Sequence, residues 1–346
     1  MGKLNGGTLI LVPGIMGSAL RLTGTDSTGV TRNKEIWGEN GSAVWNEVTK
    51  NPKLLASTPV VATKVLRQFN YPLSFKTKPL YGELMDFCCA PKGLGLKLDD
   101  TFRPFAYDWR CDLRDTAVEL DRFVEKAPEP VFIVAHSMGG LVTRLMLNAK
   151  PLGQGASRVR GVFQIASPLA GSSHAFISLK NKPSFGPLVQ FLWMLKNNFN
   201  TVKTAQDELM STLRSMKSLY QLLPSMEILI SQGGKPLSAL DHNGWDRSVH
   251  SLIDGAIEVH KLLTETPTIP IKCIYGYELK TACTVIINEL WEIEKVEENA
   301  RGDGTVTEAS ASAASTDSIP LRGLYSEHNK LCSCQDVHDE LRKFLL

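Results

Sequence analysis

Within ten positions, Val131-Phe-Ile-Val-Ala-His-Ser-Met-Gly-Gly140 passes from an apolar, β-branched run through a serine into a helical pattern. A chain that turns from strand to helix on a serine has few folds open to it. The strand must lie inside a sheet, the helix must pack back on that sheet, and the serine stands at the crest between them. So sharp a turn needs small residues two positions away on each side, here Ala135 and Gly139. The pattern is that of a nucleophile elbow, with Ala in the place that Gly more often fills, and it makes Ser137 the first candidate for chemistry. The same turn sets the Met138 N–H at a helix N-terminus, where it can meet a developing oxyanion. An ordinary strand-to-helix turn with an incidental serine reads the same locally, so the assignment rests on partners elsewhere in the chain.

A chain of 346 residues can hold one large α/β domain with an insertion, or two smaller domains, and either buries a sizeable core. The net charge is +2 with Lys and Arg spread along the whole length, which gives nucleic acid no basic stripe to bind. The opening Met1-Gly-Lys-Leu-Asn-Gly-Gly leads straight into Thr8-Leu-Ile-Leu-Val12, too short and too early for a secretory apolar region. Gly6 stands where a myristoylation motif needs Ser or Thr, and no apolar run reaches the length of a membrane span. These features set the expectation of a cytoplasmic chain. Seven cysteines, an odd number in irregular positions, suit a reducing compartment, and Cys332-Ser-Cys334 lacks the second pair that a metal site would need.

Strand-like runs at residues 8–12, 101–107, 131–135, 161–166, 269–275 and 318–324 alternate with helical patterns, as in a mostly parallel, doubly wound sheet. Leu113, Ala117, Leu120 and Val124 share one face of a helix over 112–126, and further helices are expected over 138–149 and 335–346. Two segments interrupt the alternation. Residues from about 20 to 95 form a loop-rich excursion carrying Trp37, Trp45, Tyr71 and Tyr81. Residues 171–268 are largely helical in pattern and fall between two sheet strands, which makes them a cap over the strand ends. The core is then 1–170 with 269–346. Inside the cap, Leu188-Val-Gln-Phe-Leu-Trp-Met-Leu195 either packs on the core or lines an acyl pocket through Leu188, Phe191, Leu192 and Trp193.

A serine hydroxyl becomes a strong nucleophile only when a base takes its proton, and the base needs a third group to hold its ring. In doubly wound hydrolases the chain order is serine, acid, histidine. Asp303 in Arg301-Gly-Asp-Gly-Thr-Val306 fits as the acid, and His328 in Ser326-Glu-His-Asn329 as the base, just before the terminal helix. His338 lies inside that helix and suits the role less well, while His136 should point away from the hydroxyl and serve packing. The second oxyanion donor is expected from Val12-Pro-Gly-Ile-Met-Gly-Ser18, where Gly14 lets the backbone approach and Ile15 supplies its N–H. That loop is not a phosphate cradle, because no Gly-Lys-Ser/Thr follows.

Four segments together resemble the lecithin:cholesterol acyltransferase family: Val12–Ser18, Phe105-Ala-Tyr-Asp-Trp-Arg110, Ala135-His-Ser-Met-Gly-Gly140 and Gly302-Asp-Gly-Thr-Val306. Ile165-Ala-Ser-Pro-Leu-Ala-Gly-Ser172 and Glu35-Ile-Trp-Gly38 are weaker echoes. The resemblance implies an α/β-hydrolase fold, an acyl-serine intermediate and a lipid ester substrate, with no cofactor and no metal. It makes Trp37 a candidate substrate contact and sets Asp108 and Arg110 as an ion pair or hydrogen-bond knot below the site, with a place beside the substrate as the alternative. Leu169 replaces the histidine common in the family, no Cys lies between Cys111 and Cys273 to tie a lid, and the export signal of the secreted members is missing. The expected function is therefore a lipid acyl hydrolase or O-acyltransferase, with transient membrane-surface contact as a candidate interaction. A small-ester or thioester hydrolase, and a non-catalytic binding protein of the same fold, are the alternatives.

Overall fold

The computed structural model describes residues 4, 6–24, 33–41, 52–56, 58–70, 77–148, 153–180, 210–226, 228–313, 317–321 and 327–346. Its centre is six strands, β1 (Thr8–Val12), β2 (Phe102–Pro104), β3 (Val131–His136), β4 (Val159–Ile165), β5 (Ile271–Gly276) and β6 (Asp317–Leu321). They pair in the order β6-β5-β4-β3-β1-β2, every pair parallel. β1 and β3 are buried along their whole length, which is why they read as continuous apolar runs rather than alternating ones.

Alternation appears instead in which layer each residue joins. Ile10, Val12, Ile133 and Ala135 pack into one apolar cluster, whereas Leu9, Leu11, Phe132 and Val134 pack into a second. Among the described helices that cover these faces are α1 (Gly82–Cys89), α2 (Leu113–Glu125), α3 (Met138–Asn148), α4 (His250–Leu263) and α5 (Gln335–Leu345). Helices α2, α3 and α4 supply Leu113, Leu141, Ile253 and their neighbours to the first cluster, and α1 and α5 supply Leu84, Cys88, Val337 and Leu341 to the second. The start of α2 is set by Asp112, whose carboxylate accepts the Arg114 N–H at 3.0 Å as an N-cap. At the other end of the same layer, the Asn148 side chain at the foot of α3 donates to the Leu262 and Glu265 carbonyls, each at 2.8 Å, and so ties α4 to α3.

The excursion after β1 contains a three-stranded antiparallel sheet of Ser18–Leu22, Lys34–Trp37 and Val60–Val65. Within 171–268 the described residues hold helices at Ser173–Lys180 and Lys217–Gln221 as well as α4, and also two short strands, Leu229–Ser231 and Pro236–Leu237. Those strands join Thr284–Ile287 and Ile293–Glu297 in a separate four-stranded sheet. Strands of two or three residues are too short for alternation to declare itself in a sequence, and Leu229–Ser231 takes one of its pairing partners, Thr284–Ile287, from beyond β5. The run from Leu188 to Leu195 lies outside the described residues. Among the described residues, no helix is long and apolar enough to cross a membrane.

Candidate active site

At the C-terminal end of β3 the backbone turns on Ser137, which holds φ at +53°, a left-handed conformation that costs a non-glycine residue on the order of 1–3 kcal/mol. The turn is held from both sides. Ser137 N–H donates to the Ile165 carbonyl at 2.9 Å, and the Ser137 carbonyl accepts the Gly140 N–H at 2.9 Å. Small residues are required because other strands pass close by: a Cβ on Gly139 would sit 2.4 Å from the Val12 carbonyl oxygen and 2.5 Å from that of Pro13. Gly139→Ala is expected to push β1 away from the elbow and to cost about 1–3 kcal/mol, the usual penalty of overpacking. Urea unfolding of the variant checks this, and an unchanged midpoint would refute the packing argument.

The loop after β1 crosses directly above the serine, with a Cβ at Gly14 only 2.8 Å from the Ser137 Cβ. It is pinned by the aromatic members of the Tyr-Asp-Trp-Arg segment. Tyr107 Oη donates to the Pro13 carbonyl at 2.8 Å, and Trp109 Nε1 donates to the Ser18 carbonyl at 3.2 Å. Asp108 and Arg110 form a two-pronged ion pair at 2.8 and 2.7 Å, with Arg110 Nη1 also on the Leu55 carbonyl at 2.5 Å, and neither lines the cleft over Ser137.

His328 and Asp303 meet the serine from the far end of the chain. His328 Nε2 lies 3.0 Å from Ser137 Oγ, and His328 Nδ1 lies 2.7 Å from Asp303 Oδ2. The other carboxylate oxygen, Oδ1, accepts the N–H groups of Thr305 at 3.0 Å and Val306 at 2.7 Å, and the Asp303 carbonyl accepts the His328 N–H at 3.0 Å. The loop that does this is tight. Gly304 takes φ +84° and a Cβ on Gly302 would meet the Val306 carbonyl at 2.3 Å, so both glycines answer to backbone crowding rather than chance. His338 is elsewhere: its Nε2 faces the Cys332 carbonyl at 2.9 Å and its ring stacks on Phe87.

The cleft above Ser137 measures about 880 Å³ with its open mouth counted. Ile15, Met16, Trp37, Phe69, Leu80 and Leu222 make most of it apolar, and Ser172, Thr305 and Asn329 add polar groups. Trp37 is fixed there by its own Nε1–H on the Met16 carbonyl at 2.9 Å and by stacking on Phe69. Ser172 and Leu222 come from the 171–268 segment, whereas Leu188, Phe191, Leu192 and Trp193 lie outside the described residues. Tyr81 and His136, which sequence did not single out for the site, also line the cleft. Tyr81 Oη contacts both Gly14 N at 2.7 Å and His136 Nδ1 at 2.8 Å. Among the described residues no disulfide joins any of the seven cysteines, and no group of His, Cys, Asp and Glu could hold a metal ion.

With this geometry in place, the sequence profile described as lecithin:cholesterol acyltransferase matches residues 72–235. The chain is similar to that family. The match spans a little under half of its length and takes in both the Tyr-Asp-Trp-Arg segment and the elbow, but stops short of Asp303 and His328. No curated protein matches. Among solved structures, that of the Tle4–Tli4 complex superposes with TM-score 0.60 at 14% identity, covering 96% of this chain and 96% of that one. Lipase 1 from Pelosinus fermentans gives TM-score 0.35 at 13% identity over 100% and 99% of the two chains, and VinJ gives 0.34 at 12% over 98% and 90%. The first of these shares the fold, an α/β-hydrolase sheet with helices on both faces. Fold and family together support an ester hydrolase or acyltransferase in general terms.

Proposed function

We propose that this chain is a serine-dependent acyl hydrolase or O-acyltransferase acting on lipid esters. The observation that carries the reading is the unbroken contact from Ser137 Oγ through His328 to Asp303, at 3.0 and 2.7 Å, with the carboxylate held by two backbone N–H groups. In this reading His328 Nε2 takes the hydroxyl proton as Ser137 Oγ adds to the ester carbonyl, and Asp303 stabilises the imidazolium that forms. The N–H groups of Met138 and Ile15 receive the oxyanion, each contributing about 3 kcal/mol to the barrier reduction. His328 then protonates the departing alcohol, leaving an acyl ester on Ser137. A second hydroxyl compound, water or a lipid alcohol, gives its proton to His328 as its oxygen adds to the acyl carbon; the bond to Ser137 Oγ then breaks, His328 returns the proton to Oγ, and the acyl group leaves on the acceptor. Gly14 and Gly139 serve by letting the two donor loops close in, and Asp108 with Arg110 by bracing the segment that pins the loop after β1.

The lipid class rests on the apolar walls of the cleft, Trp37 and Phe69 above all, and on the family match. Residues 171–268 act as a cap in this reading, supported by the presence of Ser172 and Leu222 in the cleft wall. How well that cap excludes water governs the choice between hydrolysis and transfer. Two measurements test the proposal. A fluorophosphonate probe is expected to label the wild type and not Ser137→Ala; equal labelling would remove Ser137 as the nucleophile. Mass spectrometry of a phospholipid and acylglycerol mixture is expected to show acyl loss or exchange with the wild type alone. Activity confined to short water-soluble esters would replace the lipid reading with a small-ester hydrolase.

A further inference from the structure

Tyr81, the residue that precedes α1, reaches into the site from the opposite side of the sheet layer to α2 and α3. Its hydroxyl is buried between Gly14 N and His136 Nδ1. The direction of every hydrogen bond in this group follows from chemistry. A backbone N–H can only donate, so Tyr81 Oη accepts from Gly14. The His328 carbonyl can only accept, so its 3.3 Å contact with His136 Nε2 requires a proton on that nitrogen. Burial first, and the neighbouring His328 second, hold His136 well below the ordinary histidine range, so the ring is neutral and Nδ1 is an acceptor. The Tyr81 O–H then has one place to point, to His136 Nδ1. The result is a one-way chain: Gly14 N–H to Tyr81, Tyr81 to His136, and His136 to the His328 carbonyl.

We propose that Tyr81 and His136 are positioning residues, which hold the Gly14–Ile15 backbone and the His328 backbone at fixed places about Ser137. The inference rests on the reading of Ser137, His328 and Ile15 given above. It explains why an elbow carries a polar ring in a fully buried place, next to the serine in sequence yet bonded away from its hydroxyl. His136 links the elbow to the base, Tyr81 links it to the oxyanion loop, and α1 anchors Tyr81 through the apolar cluster that includes Leu84 and Cys88. A shift of either loop by a fraction of an ångström lengthens contacts that matter only in the transition state.

Tyr81→Phe removes one hydroxyl and keeps the ring. With a soluble p-nitrophenyl ester it is expected to lower kcat by about 10–100-fold while KM stays within about 2-fold, the mark of a lost transition-state contact. A trifluoromethyl ketone inhibitor, which forms a tetrahedral adduct on the serine, should weaken by the same factor. A purely structural tyrosine would lower the melting temperature and leave the kcat of folded protein and the inhibitor affinity unchanged, and that outcome overturns the proposal. If Tyr81→Phe gives no folded protein, His136→Asn is read in the same way: parallel loss of kcat and inhibitor affinity supports the chain, and unchanged values refute it. Ser137→Ala separates the two levels of inference. Full activity of Ser137→Ala sinks the reading of the site itself, whereas an inactive Ser137→Ala beside a fully active Tyr81→Phe sinks the positioning role alone.

Discussion

His328→Ala is expected to lower turnover of any ester substrate by on the order of 10⁴–10⁶-fold, and Ser137→Ala by a similar factor. Among the described residues lining the cleft, no other base can stand in. His136 is the nearest rival, its ring centre 4.9 Å from that of His328, but its Nδ1 faces Tyr81 and its Nε2 faces the His328 carbonyl. His338 is held by the Cys332 carbonyl and Phe87. The alanine variant also strips Asp303 Oδ2 of its partner inside the protein, where an unmatched acceptor costs about 1–3 kcal/mol. A modest fall in melting temperature should therefore accompany the loss of activity in His328→Ala and be absent in Ser137→Ala. Because the two residues act as one unit, the double variant should be no slower than either single one. Steady-state kinetics on the three variants, with circular dichroism melts alongside, decide the matter. Retention of a tenth of wild-type activity by His328→Ala would dismiss it as the base.

How far such a site can be read from sequence depends on whether its contacts are local. β1 and β3 are legible because a strand buried on both faces must be apolar at every position, and α2 because its buried residues recur at helical spacing behind an Asp N-cap. The elbow is legible for a related reason: its steric demands fall on Ala135 and Gly139, each two residues from the serine. Chain order then narrows the partners to Asp303 and His328 without revealing any distance. Tyr81 carries no such mark. Its two hydrogen bonds span 67 and 55 positions, and nothing in the local pattern around a tyrosine before a short helix announces a partner so remote. The Tyr-Asp-Trp-Arg segment shows the same limit in another form. Charge draws attention to Asp108 and Arg110, yet it is the aromatic Tyr107 and Trp109 that hold the loop after β1, through side-chain donors that composition cannot aim. The strands Leu229–Ser231 and Pro236–Leu237 escape notice because two or three residues contain no period.

Asp303→Asn is the second large effect, an expected loss on the order of 10⁴-fold in kcat with little change in stability. The two carboxylate oxygens of Asp303 have separate partners. Oδ1 accepts the Thr305 and Val306 N–H groups at 3.0 and 2.7 Å, so an asparagine at this place must put its carbonyl oxygen there and its amide nitrogen on the side of His328. The loop keeps both backbone bonds and stays folded. The amide nitrogen, however, can only donate, and it faces His328 Nδ1, whose N–H in the native protein donates to the Asp303 Oδ2 carboxylate oxygen at 2.7 Å. To avoid two donors meeting, the imidazole must move its proton to Nε2. The nitrogen 3.0 Å from Ser137 Oγ then presents a proton to the hydroxyl instead of a lone pair, and the base is gone although every atom is in place. Asp303→Ala differs, because it gives up the Thr305 and Val306 bonds as well and should melt at a lower temperature than Asp303→Asn. Comparing the melts and the kcat values of the two variants checks both halves of the argument. An asparagine variant as fast as the wild type would show that Asp303 orients nothing and that the proton on His328 is placed by some other group.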